Sequence, residues 1–184
     1  LHRDNDLPAI DFIDVKEWYI HGIRHRDNDL PAVETKKLKE WWVNGKRHRE
    51  NGAPALIDMD DETNGTSEWW VNGELHRDND LPAKITYYDT KEWWTHGKLH
   101  RINDMPARET AFVKEWWVNG MRHRDNDLPA VENYNYVENI KKLSSQQWWV
   151  DGKLHRNNDL PAIDSGGHKQ WWFKGKRYRE IKDK

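Results

Sequence analysis

The chain has no cysteine among its 184 residues. This excludes disulfides, thiolate metal sites and cysteine nucleophiles together, and suits a reducing compartment. No apolar run approaches the roughly 18 residues that a membrane-spanning helix needs. No leader pattern opens the chain either. It starts at Leu1, inside a repeat and without Met, and is read as a trimmed or processed fragment. Serine is scarce: Ser67, Ser144, Ser145 and Ser165 lie in variable segments with no fixed relation to any histidine. No glycine-rich phosphate loop is present. A repeated sequence multiplies one environment, whereas an active site needs a singular constellation. The expectation is therefore a protein without catalytic residues, metal or cofactor.

Apolar residues are few as well, at 35% against 34% charged, a balance that borders on disorder. The exception is 13 Trp, with 6 Tyr and 3 Phe. Each Trp can bury about 150–250 Å², or roughly 4–6 kcal/mol at about 25 cal/mol/Å². Folding therefore depends on bringing the indoles together. The net charge of −2 is unevenly spread: residues 168–184 carry seven Lys/Arg against Glu180 and Asp183, leaving the rest at −7.

Internal repetition decides the fold. EWYIHGIRHRDNDLPA recurs with substitutions from residues 17, 40, 68, 92, 115 and 147, and in truncated form as QWWFKGKRYRE from 170. That makes one array over 1–184, with seven repeats whose aromatic pairs start at 18, 41, 69, 93, 116, 148 and 171, and a partial copy at 1–9. Within the block, first Trp to His is always seven residues (Tyr178 in the last copy) and Arg to the Ala of Pro-Ala always six. From His2 to Tyr178, four intervals are 23 residues and the others 24, 28 and 32. All variation falls between Pro-Ala and the next aromatic pair. The longest insertions, around 58–66 and 133–146, read as loops or longer hairpin arms.

Asn-Gly between apolar runs signals a two-residue type I′ hairpin, as at Asn44-Gly45, Asn72-Gly73 and Asn119-Gly120; the other copies keep the Gly. The turn predicts the register: Val43 opposite Lys46, Trp42 opposite Arg47, Trp41 opposite His48, Glu40 opposite Arg49. Glu/Gln at 17, 40, 68, 92, 115, 147 and 170 would thus form a charge ladder with Arg at 26, 49, 77, 101, 124, 156 and 179. The Asp-Asn-Asp-Leu-Pro-Ala linker is read as Asx-type turn chemistry, its Leu or Met (7, 30, 81, 105, 128, 160) plugging the seam between repeats. Residues after Ala, such as Val33-Glu34 or Ile85-Thr86-Tyr87, read as a short strand. Fixing 23 backbones costs roughly 23–46 kcal/mol, more than one hairpin recovers, so stacking is obligatory. The fold class expected is all-β: an elongated single strip of stacked antiparallel hairpins, with the last copy as a cap.

The motif Trp-Trp-x-Asn-Gly-Lys-x-His-Arg-x-x-x-x-Pro-Ala resembles MORN repeats, whose hairpins carry an aromatic followed by x-Asn-Gly-Lys-x-x-Gly. It is similar to MORN-like arrays of giant viruses of amoebae. The upstream Tyr-x-Gly of MORN repeats is missing, and Arg follows His in place of Gly. The resemblance implies an all-β repeat solenoid, dimerisation or scaffolding, and phospholipid contact. A viral origin would place the chain in host cytoplasm or nucleus, or in a virion.

Three groups of residues are candidates for chemistry. The His column (25, 48, 76, 100, 123, 155, with His2) could suggest metal, but stacked repeats space the imidazoles about 10 Å apart, too far to converge on one ion. Packing of each His on the first Trp opposite is expected instead. The Asp-Asn-Asp triplets lack the Gly and bidentate Glu of an EF-type calcium loop and read as turns. The second aromatic column is the informative one. Trp42, Trp70, Trp94, Trp117, Trp149 and Trp172, with Arg47, Arg122 and Arg177, form a row on which a peptide, glycan or nucleic acid could stack. The simpler reading is that the guanidinium groups cover the indoles within the molecule. Lys174 and Lys176 add positive charge at the C-terminal end. The function expected is a protein-interaction or scaffold module whose partner is another protein or a second copy. The alternative is binding of anionic lipid or nucleic acid through the basic end.

Overall fold

A computed structural model describes residues 5–59, 65–86 and 89–182. His2, Tyr87, Lys184 and the middle of the 58–66 insertion lie outside them. Every regular element among the described residues is a β-strand. Two compact units are present, Leu1–Asp89 with Trp93–Gly97, and Thr90–Glu92 with Lys98–Lys184.

In the first unit, seven antiparallel strands follow chain order: Ile10–Phe12, Val15–Glu17, Val33–Thr35, Leu38–Glu40, Leu56–Asp58, Thr66–Glu68 and Lys84–Thr86. The second orders Lys91–Glu92, Arg108–Glu109, Val113–Glu115, Val131–Val137, Ile140–Gln147, Ile163–Asp164, His168–Phe173 and Lys176–Lys182 in the same way. These are the expected sequential hairpins, but they are built from the variable segments. The segment after each Ala folds back on the residues before the next Trp pair, as Val33 opposite Glu40. The second of those strands then pairs onward, as Glu40 opposite Leu56. The insertion at 133–146 is a longer hairpin arm with a bulge at Asn133/Tyr134.

The Asn-Gly hairpins stand apart from these sheets as two-stranded ribbons. Their turns are type I′ as expected: Asn44 and Gly45 have φ of 49° and 75°. Trp42 lies opposite Arg47 and Val43 opposite Lys46. Successive ribbons are stitched by backbone bonds, the turn Gly N–H donating to the carbonyl of the preceding ribbon: Gly45 to Arg24 at 2.9 Å, Gly73 to Arg47 at 2.9 Å, Gly152 to Arg122 at 3.0 Å. The linker makes a second αL–αL turn, with Asn28 and Asp29 at φ of 61° and 55° and Leu30 N–H donating to Asp27 O. The backbone therefore closes that turn, and the Asp side chains are left for other partners.

The core is the first Trp column. All seven indoles are 6–9% exposed, and the alanines at 32, 55, 83, 107, 130 and 162 are fully buried. Two expectations need correction. Glu40 does not face Arg49: Trp41 N–H donates to Ala55 O, so the chain leaves the hairpin after His48 and the ladder ends there. Among the described residues only the last repeat continues it, with Tyr178 bulged so that Trp171 meets Arg179 and Gln170 meets Glu180. The Leu and Met before Pro do not plug the seam; at positions 7, 30, 81, 105, 128 and 160 they are 38–47% exposed. They ride on the linker turn, outside the sheet.

Candidate functional site

Strand alternation puts Glu40 and Trp42 on one face, with Arg47 opposite Trp42. Trp42 Nε1 donates to Glu40 at 2.7 Å. Trp70, Trp149 and Trp172 donate likewise to Glu68, Gln147 and Gln170, at 2.9, 3.0 and 3.0 Å. Arg47 donates to Glu40 at 2.7 Å while its guanidinium lies between two rings, 5.2 Å from Trp42 and 4.8 Å from Trp70. Arg122 is sandwiched in the same way, 5.0 Å from Trp117 and 5.2 Å from Trp149. The guanidinium groups thus cover the indoles within the molecule, and both are half-buried. Trp94 is half-buried in the same column. Arg177, Lys174 and Lys176 are exposed. Arg177 pairs with Glu180 at 3.1 Å.

Glu40, Glu68 and Glu115 are buried, and a buried carboxylate needs a compensating cation. The repeats supply it from two alternative places. Where the hairpin carries Arg, the residue after Ala is apolar: Arg24 with Val33, Arg47 with Leu56, Arg122 with Val131. Where Leu75 takes that place, Lys84 follows Ala83 and sits 2.8 Å from Glu68. Where Leu99 takes it, Arg108 follows Ala107 and lies 3.3 Å from Glu92 and 3.1 Å from Glu115. The hairpin with Leu154 has Ile163 after Ala162, and its acid is replaced by neutral Gln147. Removing Lys84 should therefore uncover Glu68, whose next cation, Arg47, is 3.9 Å away. Lys84→Met is expected to cost about 1–3 kcal/mol, and adding Leu75→Arg should recover most of it, read by urea unfolding. Failure of the second change to rescue would refute the exchange.

The other arginine column belongs to the core Trp. Arg49 stacks 3.8 Å over Trp41 and donates from Nε and Nη2 to Asp29 of the preceding linker, at 2.8 and 2.9 Å. Trp41 Nε1 donates to the Asp29 carbonyl at 3.0 Å. One linker residue thus holds both members of the stack. Asp6 with Arg26, Asp104 with Arg124 and Asp127 with Arg156 repeat this clamp. The hydrogen bonds from arginine hold the carboxyls of Asp6, Asp29 and Asp104 below their ordinary value of 3.8. At Glu17 burial opposes ionisation, but bonds from Tyr19 and Arg24 prevail and lower it. Carboxyls depressed in the fold stabilise it above their unfolded values and lose that contribution as pH falls through the folded ones. Unfolding free energy should thus fall below about pH 4; a flat profile into stronger acid would contradict the clamp.

The His column is not held by its own Trp through its nitrogens. His48 Nε2 bonds Glu50 at 2.7 Å and Nδ1 accepts the backbone N–H of Asn72, in the next turn, at 3.1 Å. His25 does the same with Asp27 and Asn44. An imidazole has two nitrogens to satisfy, and the one polar group of the Trp41 indole, Nε1–H, is already given to the linker carbonyl. Among the described residues no cluster of three or more His, Asp and Glu is arranged to hold a metal ion. No helix among them is long and apolar enough to cross a membrane. Compared with models of known protein families and with curated proteins, the chain matches none.

Proposed function

We propose that the chain is a non-enzymatic protein-interaction module, a MORN-like scaffold that presents one set of contacts per repeat. The observation that carries this reading is the exposed Leu or Met of each linker but one. Leu7, Leu30, Met105 and Leu128 stand on turns anchored by the Asp–Arg–Trp clamp, so their positions are set before any partner arrives, which lowers the ordering cost of binding. Regularly spaced apolar side chains on an ordered frame are what a protein surface docks against, a second copy of the chain included. The resemblance to giant-virus arrays would put this activity in host cytoplasm or nucleus, or in a virion. The test is sedimentation velocity and pull-down with the native chain and with Leu30, Leu81, Leu128 and Leu160 changed to Ser. These exposed positions should alter stability by no more than about 0.5 kcal/mol each while abolishing association. A native chain that stays monomeric and captures nothing the variant loses would refute the proposal.

A second reading rests on the strand Lys176–Lys182, all of whose residues are exposed and which carries Lys176, Arg177, Arg179 and Lys182 beside Lys174. This edge suits an anionic lipid surface or nucleic acid. Such binding would weaken steeply with salt and be lost when Lys174, Lys176 and Arg177 become Glu.

A further inference from the structure

Every clamp whose contacts are described above sets an arginine against an Asp of the preceding linker. Arg77 is the exception. The residue at the Asp position is Gly52, and the described partners of Arg77 are the Trp69 ring, 3.8 Å away, and the Pro82 carbonyl, which accepts from Nη1 at 3.2 Å. The rest of the clamp is intact. Trp69 Nε1 donates to the Gly52 carbonyl at 2.8 Å, and Asn51 and Gly52 turn the chain at φ of 60° and 68°, as Asn28 and Asp29 do. A Cβ placed on Gly52 would meet nothing within 4 Å. The next residue is Ala53 in place of Leu or Met. The cavity beside Arg77 is accordingly about 460 Å³, twice the 230 and 240 Å³ of the corresponding spaces beside Arg49 and Arg156.

We propose that this cavity binds a carboxylate carried next to an apolar group, its oxygens taking the place on Arg77 that an Asp side chain takes on the other arginines. The guanidinium is held face-on by Trp69 and fixed by the Pro82 carbonyl, leaving Nε and Nη2 aimed where Asp29 meets Arg49. Charge-assisted bidentate bonds in such a part-buried place are among the stronger polar contacts. Burial without an acid partner lowers the affinity of Arg77 for its proton, the signature of a cation desolvated and uncompensated. Two carboxylates stand at the rim, and both are engaged: Glu50 with His48 at 2.7 Å and Asp78 with His76 at 3.1 Å. An apolar group beside the ligand's carboxylate would occupy the volume left by Ala53, against Trp70 and Val71. The ligand is either an acidic side chain followed by a large apolar residue in an exposed segment of another protein, or a free small acid. The site does not depend on the scaffold reading, since a chain with no protein partner could still take the free acid.

The test titrates the full chain with acetyl-Asp-Leu-amide, acetyl-Asn-Leu-amide and acetate, following the Nε–H resonance of Arg77, identified by its loss in Arg77→Lys. A saturable shift with the Asp peptide, at least about tenfold tighter than with the Asn peptide, is expected. Gly52→Asp supplies the missing carboxylate from within. It should abolish the shift and raise the melting temperature by about 2–4 °C, because Asp occupies this αL position in the other linkers. Acetate binding as tightly as the Asp peptide would assign the site to a free acid; weaker acetate binding would assign it to a protein side chain. Equal response to the Asn peptide, no response to any probe, or undiminished binding in Gly52→Asp would overturn the proposal.

Discussion

Trp41→Ala is expected to cost about 3–5 kcal/mol, a large share of the roughly 5–15 kcal/mol that holds a domain folded. Trp41 is 6% exposed and is the shelf on which three other contacts rest. Its ring carries Arg49 at 3.8 Å, its Nε1–H is satisfied by Asp29, and its backbone N–H ties the hairpin to Ala55. Truncation opens a cavity and unseats the guanidinium, leaving the Arg49–Asp29 pair to solvent. Trp42→Ala is the proper comparison, since the same atoms are removed one residue away. Trp42 is half-buried. Its loss removes one bond to Glu40 and the stacking of Arg24 and Arg47, for about 1–2 kcal/mol. Urea midpoints of the two variants measure the difference. Equal costs would mean that the two columns are not core and cover, and the assignment of the core would be wrong.

Which column is core could be read from the sequence, because the type I′ turn sets the alternation of side chains on both strands. The turn at Asn44-Gly45, the pairing of Trp42 with Arg47 and the short strand after each Ala follow from local chemistry, and local chemistry is what a sequence displays. The partners of the second arginine column were not legible for a physical reason. Arg49 finds Asp29 twenty residues upstream, across a repeat boundary, and nothing in one block shows how the next is laid on it. Extending the hairpin ladder past Trp41 paired Glu40 with Arg49, whereas the main chain departs there to let Trp41 N–H reach Ala55. The exposure of Leu30 was hidden for a related reason, since apolar character alone does not tell a seam from a turn tip. A usable signal was nevertheless present. Lys84 and Arg108 follow Ala only where Leu75 and Leu99 replace the hairpin arginine, and Gln147 replaces Glu where neither cation exists. Such exchange between positions nine residues apart marks a shared space, and it identifies the acid's true partner without any alignment of relatives.

The alanine of Pro-Ala carries the second large effect. Ala107 is fully buried, and its N–H donates to Glu115 O at 2.8 Å. In the equivalent place Ala130 also accepts from Trp116 N–H at 2.8 Å. This residue therefore lies where linker, hairpin and main sheet are drawn together by backbone bonds, and its side chain meets neighbours on all sides. Ala107→Leu adds three carbons to a space that holds none, and the backbone bonds resist the parting that would make room. Overpacking of this kind costs about 1–3 kcal/mol where neighbours can yield, and the upper end is expected here. Ala9 supplies the control within the same molecule. It makes the same bond, its N–H donating to Glu17 O at 2.8 Å, yet is only half-buried, so Ala9→Leu should change stability by no more than about 0.5 kcal/mol. Thermal unfolding of both variants decides between them. A tolerated leucine at 107 would mean that stacking leaves slack between repeats, and that Ala recurs at this position for a reason other than space.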